Sequence, residues 1–163
     1  MDKEIFVPIP EFEKYAISNY GNVYNIELGY PMAHSPTEYG ELTVGMMKDG
    51  KQYRRSVKVL VAKAFVEGES RYFDTPILLD GDRFNLYHKN IRWRPRWFAI
   101  VYYQQFNSKA DRDIGPIMNL HTEEVYDSVA EAAMANGFLI RDIRKSLVEQ
   151  TRVFPDGCVF GFC

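Results

Sequence analysis

Thr75-Pro76-Ile77-Leu78-Leu79-Asp80-Gly81-Asp82-Arg83-Phe84-Asn85, followed after four residues by Asn90-Ile91-Arg92-Trp93, is the stretch whose reading decides the fold. Its apolar opening reads as a strand. Asp80-Gly81-Asp82 reads as a turn, because glycine takes positive φ without steric cost and aspartate side chains bond to nearby backbone N–H groups. Ile91 to Trp93 then returns, which predicts a short hairpin with an irregular insertion. Just upstream, Ser56 is a plausible N-cap. Val57, Leu60, Val61, Ala64 and Phe65 follow at i, i+3, i+4, i+7 and i+8, the spacing of one buried helical stripe.

Further upstream the chain reads as β. Tyr15 to Ser18 and Asn22 to Ile26 flank Asn19-Tyr20-Gly21, and Leu42, Val44 and Met46 alternate with Thr43, Gly45 and Met47 before an Asp49-Gly50 turn and a return from Gln52 to Val57. Together these predict a small meander. Downstream, Gly115-Pro116 opens a last segment after the polar connector Asn107 to Asp113. Ile117 to Tyr126 alternates weakly, and Ser128-Val129-Ala130-Glu131 has capping-box spacing. A helix to Gly137 and a second from about Ile140 to Glu149 give a helix-turn-helix outline, with Ile140, Ile143 and Leu147 inward and Arg141, Arg144 and Lys145 outward.

The chain has 163 residues, 46% hydrophobic, 26% charged and 15% aromatic, which suits one medium domain or two small ones and argues against long disorder. Cys158 and Cys163 both fall in the last six residues, so no disulfide framework is expected. No apolar run approaches the ~20 residues of a membrane span, and the N-terminus does not read as a signal peptide. Cytoplasmic residence is the expectation, in a bacterial host if the chain is phage-encoded, with no membrane partner.

The net charge of −2 hides an uneven distribution. Residues 1–39 carry −4, residues 40–97 carry +5, residues 98–115 are neutral and residues 116–163 carry −3. A basic middle suits a polyanion that touches only that region. On charge alone, a solvated face is the simpler account.

Taken together, these stretches resemble phage-type HNH homing endonucleases over nearly the whole chain. Pro10 to Tyr24 is similar to the DNA-binding motif that precedes the nuclease, and Val57 to Phe65 to the family's His-Arg-Leu-Val-Ala helix. Asp80 to Asn85 with Asn90 to Trp93 is similar to its nuclease core, and residues 116–162 to the intron-encoded nuclease repeat. The resemblance implies a divalent-metal site, and the departures from the pattern fall on that site. The general-base histidine falls on Leu78, the adjacent acidic ligand on Ile77, the histidine opening the helix on Lys58 and the downstream ligand near Ala99. Hydrocarbon side chains offer no lone pair to a proton or a metal, and lysine at its ordinary pKa is a protonated donor. Asp80-Gly81, Asn85, Asn90 and Trp93 remain as scaffold.

The expectation is therefore an α+β fold: a β meander (1–55), a degenerate ββα-metal (HNH) core (56–97), an aromatic and polar connector (98–115) and a small helix-turn-helix-like domain (116–163). No metal, no cofactor and no catalytic residue is expected, which describes a pseudoenzyme kept for binding. Two partners stand open. Under the first, double-stranded DNA meets Arg54, Arg55, Lys58, Lys63, Arg92, Arg94 and Arg96 through phosphates and Arg141, Arg144 and Lys145 near a groove. Under the second, the chain has left DNA for a host or phage protein complex, which the acidic C-terminal segment and a pI of about 5.9 favour. An active nuclease with a site relocated to His34, His88 or His121 with Asp80 or Asp82 is the third reading. Phe98, Tyr102, Tyr103 and Phe106 read either as base-stacking groups or as core.

Overall fold

The structure is a computed structural model that describes residues 2–107 and 114–163. The polar connector 108–113, with Lys109 and Arg112, lies outside the described residues. Two compact units divide the chain, Met1–Arg96 and Trp97–Cys163.

In the first unit, β1 (Phe6–Ile9), β2 (Phe12–Ser18), β3 (Val23–Asn25) and β4 (Tyr30–Pro31) form an antiparallel sheet in that order. Gly21, at the β2–β3 turn, has φ +87°, and a Cβ there would lie 2.6 Å from Cβ of Leu86. Only glycine serves on both counts. A second meander follows from β5 (His34–Pro36), β6 (Leu42–Lys48) and β7 (Lys51–Ser56). Asp49 and Gly50, at φ 50° and 74°, make the β6–β7 turn with positive φ at both central positions, as a two-residue hairpin of matching twist requires.

Ser56 caps α1 (Val57–Phe65) by accepting a 3.5 Å bond from the Val59 N–H. The expected stripe is partly displaced: Val57, Leu60 and Val61 are buried, but so is Ala62, whereas Ala64 is exposed. Ala64 instead lines a cleft against β1. The expected hairpin is β8 (Thr75–Leu78) paired with β9 (Ile91–Arg94), in a register that sets Leu78 opposite Ile91 and Ile77 opposite Arg92. The first 55 residues and this hairpin share one unit. The His88 N–H donates to the Asn19 carbonyl at 2.9 Å, and the Tyr20 and Tyr87 rings stack at 4.8 Å.

The second unit departs from the sequence reading at its start. Residues expected as connector form α2 (Arg96–Gln104), with Phe98, Ala99 and Tyr102 buried. Phe98 and Tyr102, four residues apart, stack at 6.0 Å along one helix face. The aromatic and β-branched character of Trp97 to Tyr103 concealed that period, because these residue types favour strands. Beyond the connector, β10 (Ile117–Asn119) lies between β11 (Val125–Tyr126) and β12 (Phe160–Phe162). Two helices, α3 (Val129–Asn136) and α4 (Ile140–Glu149), join through Gly137 at φ 68°, the left-handed residue that ends α3. Ser128 Oγ accepts from the Glu131 N–H at 3.0 Å, and the Glu131 carboxylate accepts in return from the Asp127 N–H. Ile117, Val129, Phe138, Ile143 and Phe160 centre the core of this unit. The architecture is α+β, as expected, built among the described residues on small antiparallel sheets and four α-helices, one more than the sequence reading gave.

Candidate nucleic-acid interface

The loop after β8 is held by one carboxylate. Asp80 Oδ1 accepts from the Asp82 N–H at 2.9 Å and from Asn90 Nδ2 at 2.8 Å, and Oδ2 accepts from Asn85 Nδ2 at 2.7 Å. Asn90 Oδ1 accepts from the Asp80 N–H, and Asp82 caps the next turn by accepting from the Phe84 N–H at 2.9 Å. Asn90 Nδ2 also donates to the Asn85 carbonyl at 2.9 Å, and Trp93 Nε1 reaches the Val66 carbonyl at 2.9 Å. Asp80, Asn85, Asn90 and Trp93 thus serve the geometry of the hairpin.

The resemblance places the family's chemical groups at Ile77, Leu78 and Lys58 and near Ala99. Ile77 is 0% and Leu78 4% exposed, inside the first unit. Ala99 is buried within the second. Lys58 is 17% exposed in its side chain and pairs with Glu41 at 3.5 Å, and Glu41 also accepts from Ser56 Oγ at 2.7 Å. A divalent metal needs oxygen or nitrogen donors. The residues at these positions do not fit it. His34 is half-buried in β5, and burial holds its pKa below the usual imidazole value. His88 stands edge-on to Tyr87 at 4.9 Å, and His121 Nδ1 accepts from the Val159 N–H at 3.2 Å. Among the described residues, no group of three or more His, Cys, Asp or Glu is placed to hold a metal ion. Burial pushes the Cys158 thiol up, which makes it less nucleophilic, and Cys163 is exposed.

The expected phosphate-binding cations divide by environment. Arg54, Lys63, Arg96, Arg141 and Lys145 are exposed. Arg55 lies over the Phe12 ring at 5.2 Å and pairs with Glu11 at 3.5 Å. Arg92 turns back on its own strand, donating to the carbonyls of Lys89 and Ile91. Arg94 must be withdrawn from the set. It is 6% exposed and donates to the Trp93 carbonyl at 2.9 Å, because the end of β9 is packed on both faces. Arg144 also departs from the face assigned to it: its Nε and Nη2 are out of solvent and have no hydrogen-bond partner among the described residues. Four residues after Ile140 and three before Leu147, it flanks the buried side of α4. Phe98 and Tyr102 are core groups rather than base-stacking ones.

Two features escaped the sequence reading. The first is a clasp at the N-terminus, in which the Asp2 carboxylate takes Lys89 Nζ at 2.7 Å and the Tyr87 hydroxyl, while the Tyr20 hydroxyl donates to the Asp2 carbonyl. Lys89, and then Tyr87, hold the Asp2 pKa down at about 2. The second is the cleft beside Ala64, assembled from segments far apart in the chain.

Residues 4–53 match the NUMOD4 motif. The DNA endonuclease I-HmuI of Bacillus phage SP01 is 33% identical over 82 residues, covering 48% of this chain and 45% of that protein. The matched region therefore spans about half of each. A solved structure described as DNA binding and cleavage by the HNH homing endonuclease I-HmuI matches at TM-score 0.58 and 23% identity, over 98% of both chains. In part of its sequence and in its fold, this chain is similar to an HNH homing endonuclease. The likeness of fold extends over nearly the full length.

Proposed function

We propose that this HNH relative binds double-stranded DNA and does not cleave it. The observation that carries this reading is the burial of Ile77 and Leu78 in the β8–β9 hairpin, where the resemblance places a metal ligand and a general base. A buried isoleucine and leucine neither hold a cation nor accept a proton, and losing either function costs orders of magnitude in hydrolytic rate. DNA as the partner is supported by the likeness to an HNH endonuclease whose structure concerns DNA binding, and by the exposed cations Arg54, Lys63 and Arg96 in the basic stretch 40–97. With about three to five phosphate contacts available, the log–log slope of affinity against salt should be roughly −3 to −4.

The test combines gel shift across salt with incubation of supercoiled DNA in Mg²⁺ or Mn²⁺. Salt-dependent binding without nicking is the expected result. EDTA-sensitive nicking that Asp80→Ala with Asp82→Ala abolishes would overturn the inactive half of the proposal. No binding at about 50 mM salt would overturn the DNA half.

A further inference from the structure

A cleft of about 490 Å³ runs between β1, the end of β7 and α1. Its floor is hydrocarbon, made by the buried side chains of Ile9, Ile17 and Leu60, with Val7 and Ala64 as walls. Around it stand Arg54, Arg55 and Lys63 against a single acid, Glu11. Glu11 is already paired with Arg55, and neither Arg54 nor Lys63 makes an ion pair among the described residues. The cleft thus combines an apolar trough with two cations in want of an anion.

This combination separates two kinds of occupant. A phosphodiester backbone would use the cations and leave the trough wetted, gaining nothing from the apolar floor. An acidic segment with bulky apolar side chains uses both, burying hydrocarbon in the trough while its carboxylates face Arg54 and Lys63. Strand addition is not the mode of binding. Although β1 is an edge strand, Pro8 within it and Pro10 just after it have no N–H to offer a paired chain. The occupant is therefore gripped by side chains.

We propose that this cleft is a docking site for an acidic, apolar peptide segment of a partner protein. It shares Arg54 and Lys63 with the proposed DNA contact, so peptide and DNA would compete for them, but it does not depend on DNA binding. The probe is a fluorescent library of short peptides built from Leu, Phe, Asp and Glu, with a matched library in which Asn and Gln replace the acids. Binding is read by fluorescence anisotropy on the full chain. The variant Ala64→Phe fills the trough from an exposed helix position without changing charge, and Val7→Phe fills it from the opposite wall should the first not fold. Arg54→Glu with Lys63→Glu removes the cations.

The acidic library should bind and the amide library should not. Both kinds of variant should weaken peptide binding by about tenfold or more, as loss of a buried anchor or of a charge partner does. Duplex DNA binding should change less than about twofold on filling the trough, since phosphates are held by charge alone. Peptide binding that survives the filled trough would overturn the proposal, because the acids would then be reading surface charge only. Equal binding of the two libraries would overturn it as well. Failure of DNA binding by the unaltered chain would leave this result standing, so the two proposals fall separately.

Discussion

Replacing Asp80 by alanine distinguishes a structural carboxylate from a relocated metal ligand. The substitution removes the side-chain acceptor of the Asp82 N–H at 2.9 Å, that of the Asn85 amide at 2.7 Å and one of the two acceptors of the Asn90 amide, at 2.8 Å. A hydrogen bond to a charged acceptor contributes about 1.5–3 kcal/mol net. Asp80 is exposed and the freed amides can rehydrate, so each bond counts for well under that. We expect a total loss of about 2 kcal/mol, which for a domain of this size lowers Tm by roughly 8–16 °C. Asp80→Asn keeps one acceptor oxygen and should cost about half as much. The assay is thermal unfolding of the full chain by circular dichroism, with EDTA and with millimolar Mg²⁺. A bound metal would raise Tm of the unaltered chain by mass action. The structural reading predicts the same melting curve in both conditions and a large drop for Asp80→Ala in each. A variant as stable as the parent in EDTA, together with a Mg²⁺-dependent gain that only the parent shows, would refute it.

Arg144→Met should raise stability. It removes two buried donors without partners, at about 1 kcal/mol or more each, while keeping the aliphatic packing and helix preference of the arginine, so chemical denaturation should show a gain of about 1–2 kcal/mol. A loss would mean that the guanidinium has a partner in solution. The N-terminal clasp should depend on pH in the acid range. The folded pKa of Asp2, about 2, lies below its ordinary 3.8, so the clasp contributes fully above that ordinary value and is lost as pH falls toward 2. The Tm difference between the parent and Asp2→Asn should therefore be present at neutral pH and vanish at the bottom of that window. A difference that persists there would place the effect elsewhere than in the carboxylate charge.

The parts of this molecule that were legible in its sequence are those with local causes. The Asp49-Gly50 turn, the Ser56 and Ser128 caps and the Gly137 break each depend on a few neighbouring residues, and each is found where the spacing put it. The cations were less legible because arginine reads the same wherever it points. Arg92, Arg94 and Arg96 alternate with apolar or imino residues, yet one turns onto its own strand, one is buried and one is exposed. Arg144 is a partial exception, since its spacing from Ile140 and Leu147 already put it beside the buried stripe of α4. The cleft was not legible at all, because residues 7–9, 54–55 and 59–64 come together only through the fold. Ala64 offered one faint signal, a small residue where the stripe called for a filler.

Packing also bears on the proposed absence of nuclease chemistry. Leu78 and Ile77 pack in the interior opposite Ile91 and Arg92 of β9, so the hairpin gains hydrophobic stabilisation at the two positions where the resemblance places polar groups. Restoring a histidine and an acid there would bury an imidazole and a carboxylate among hydrocarbon, with the desolvation cost that such groups carry. Packing therefore favours the hydrocarbon side chains at these two positions. Placing a histidine and an acid there would require neighbouring side chains to change as well, so single substitutions at Ile77 or Leu78 should destabilise the hairpin, which thermal unfolding of each variant would read.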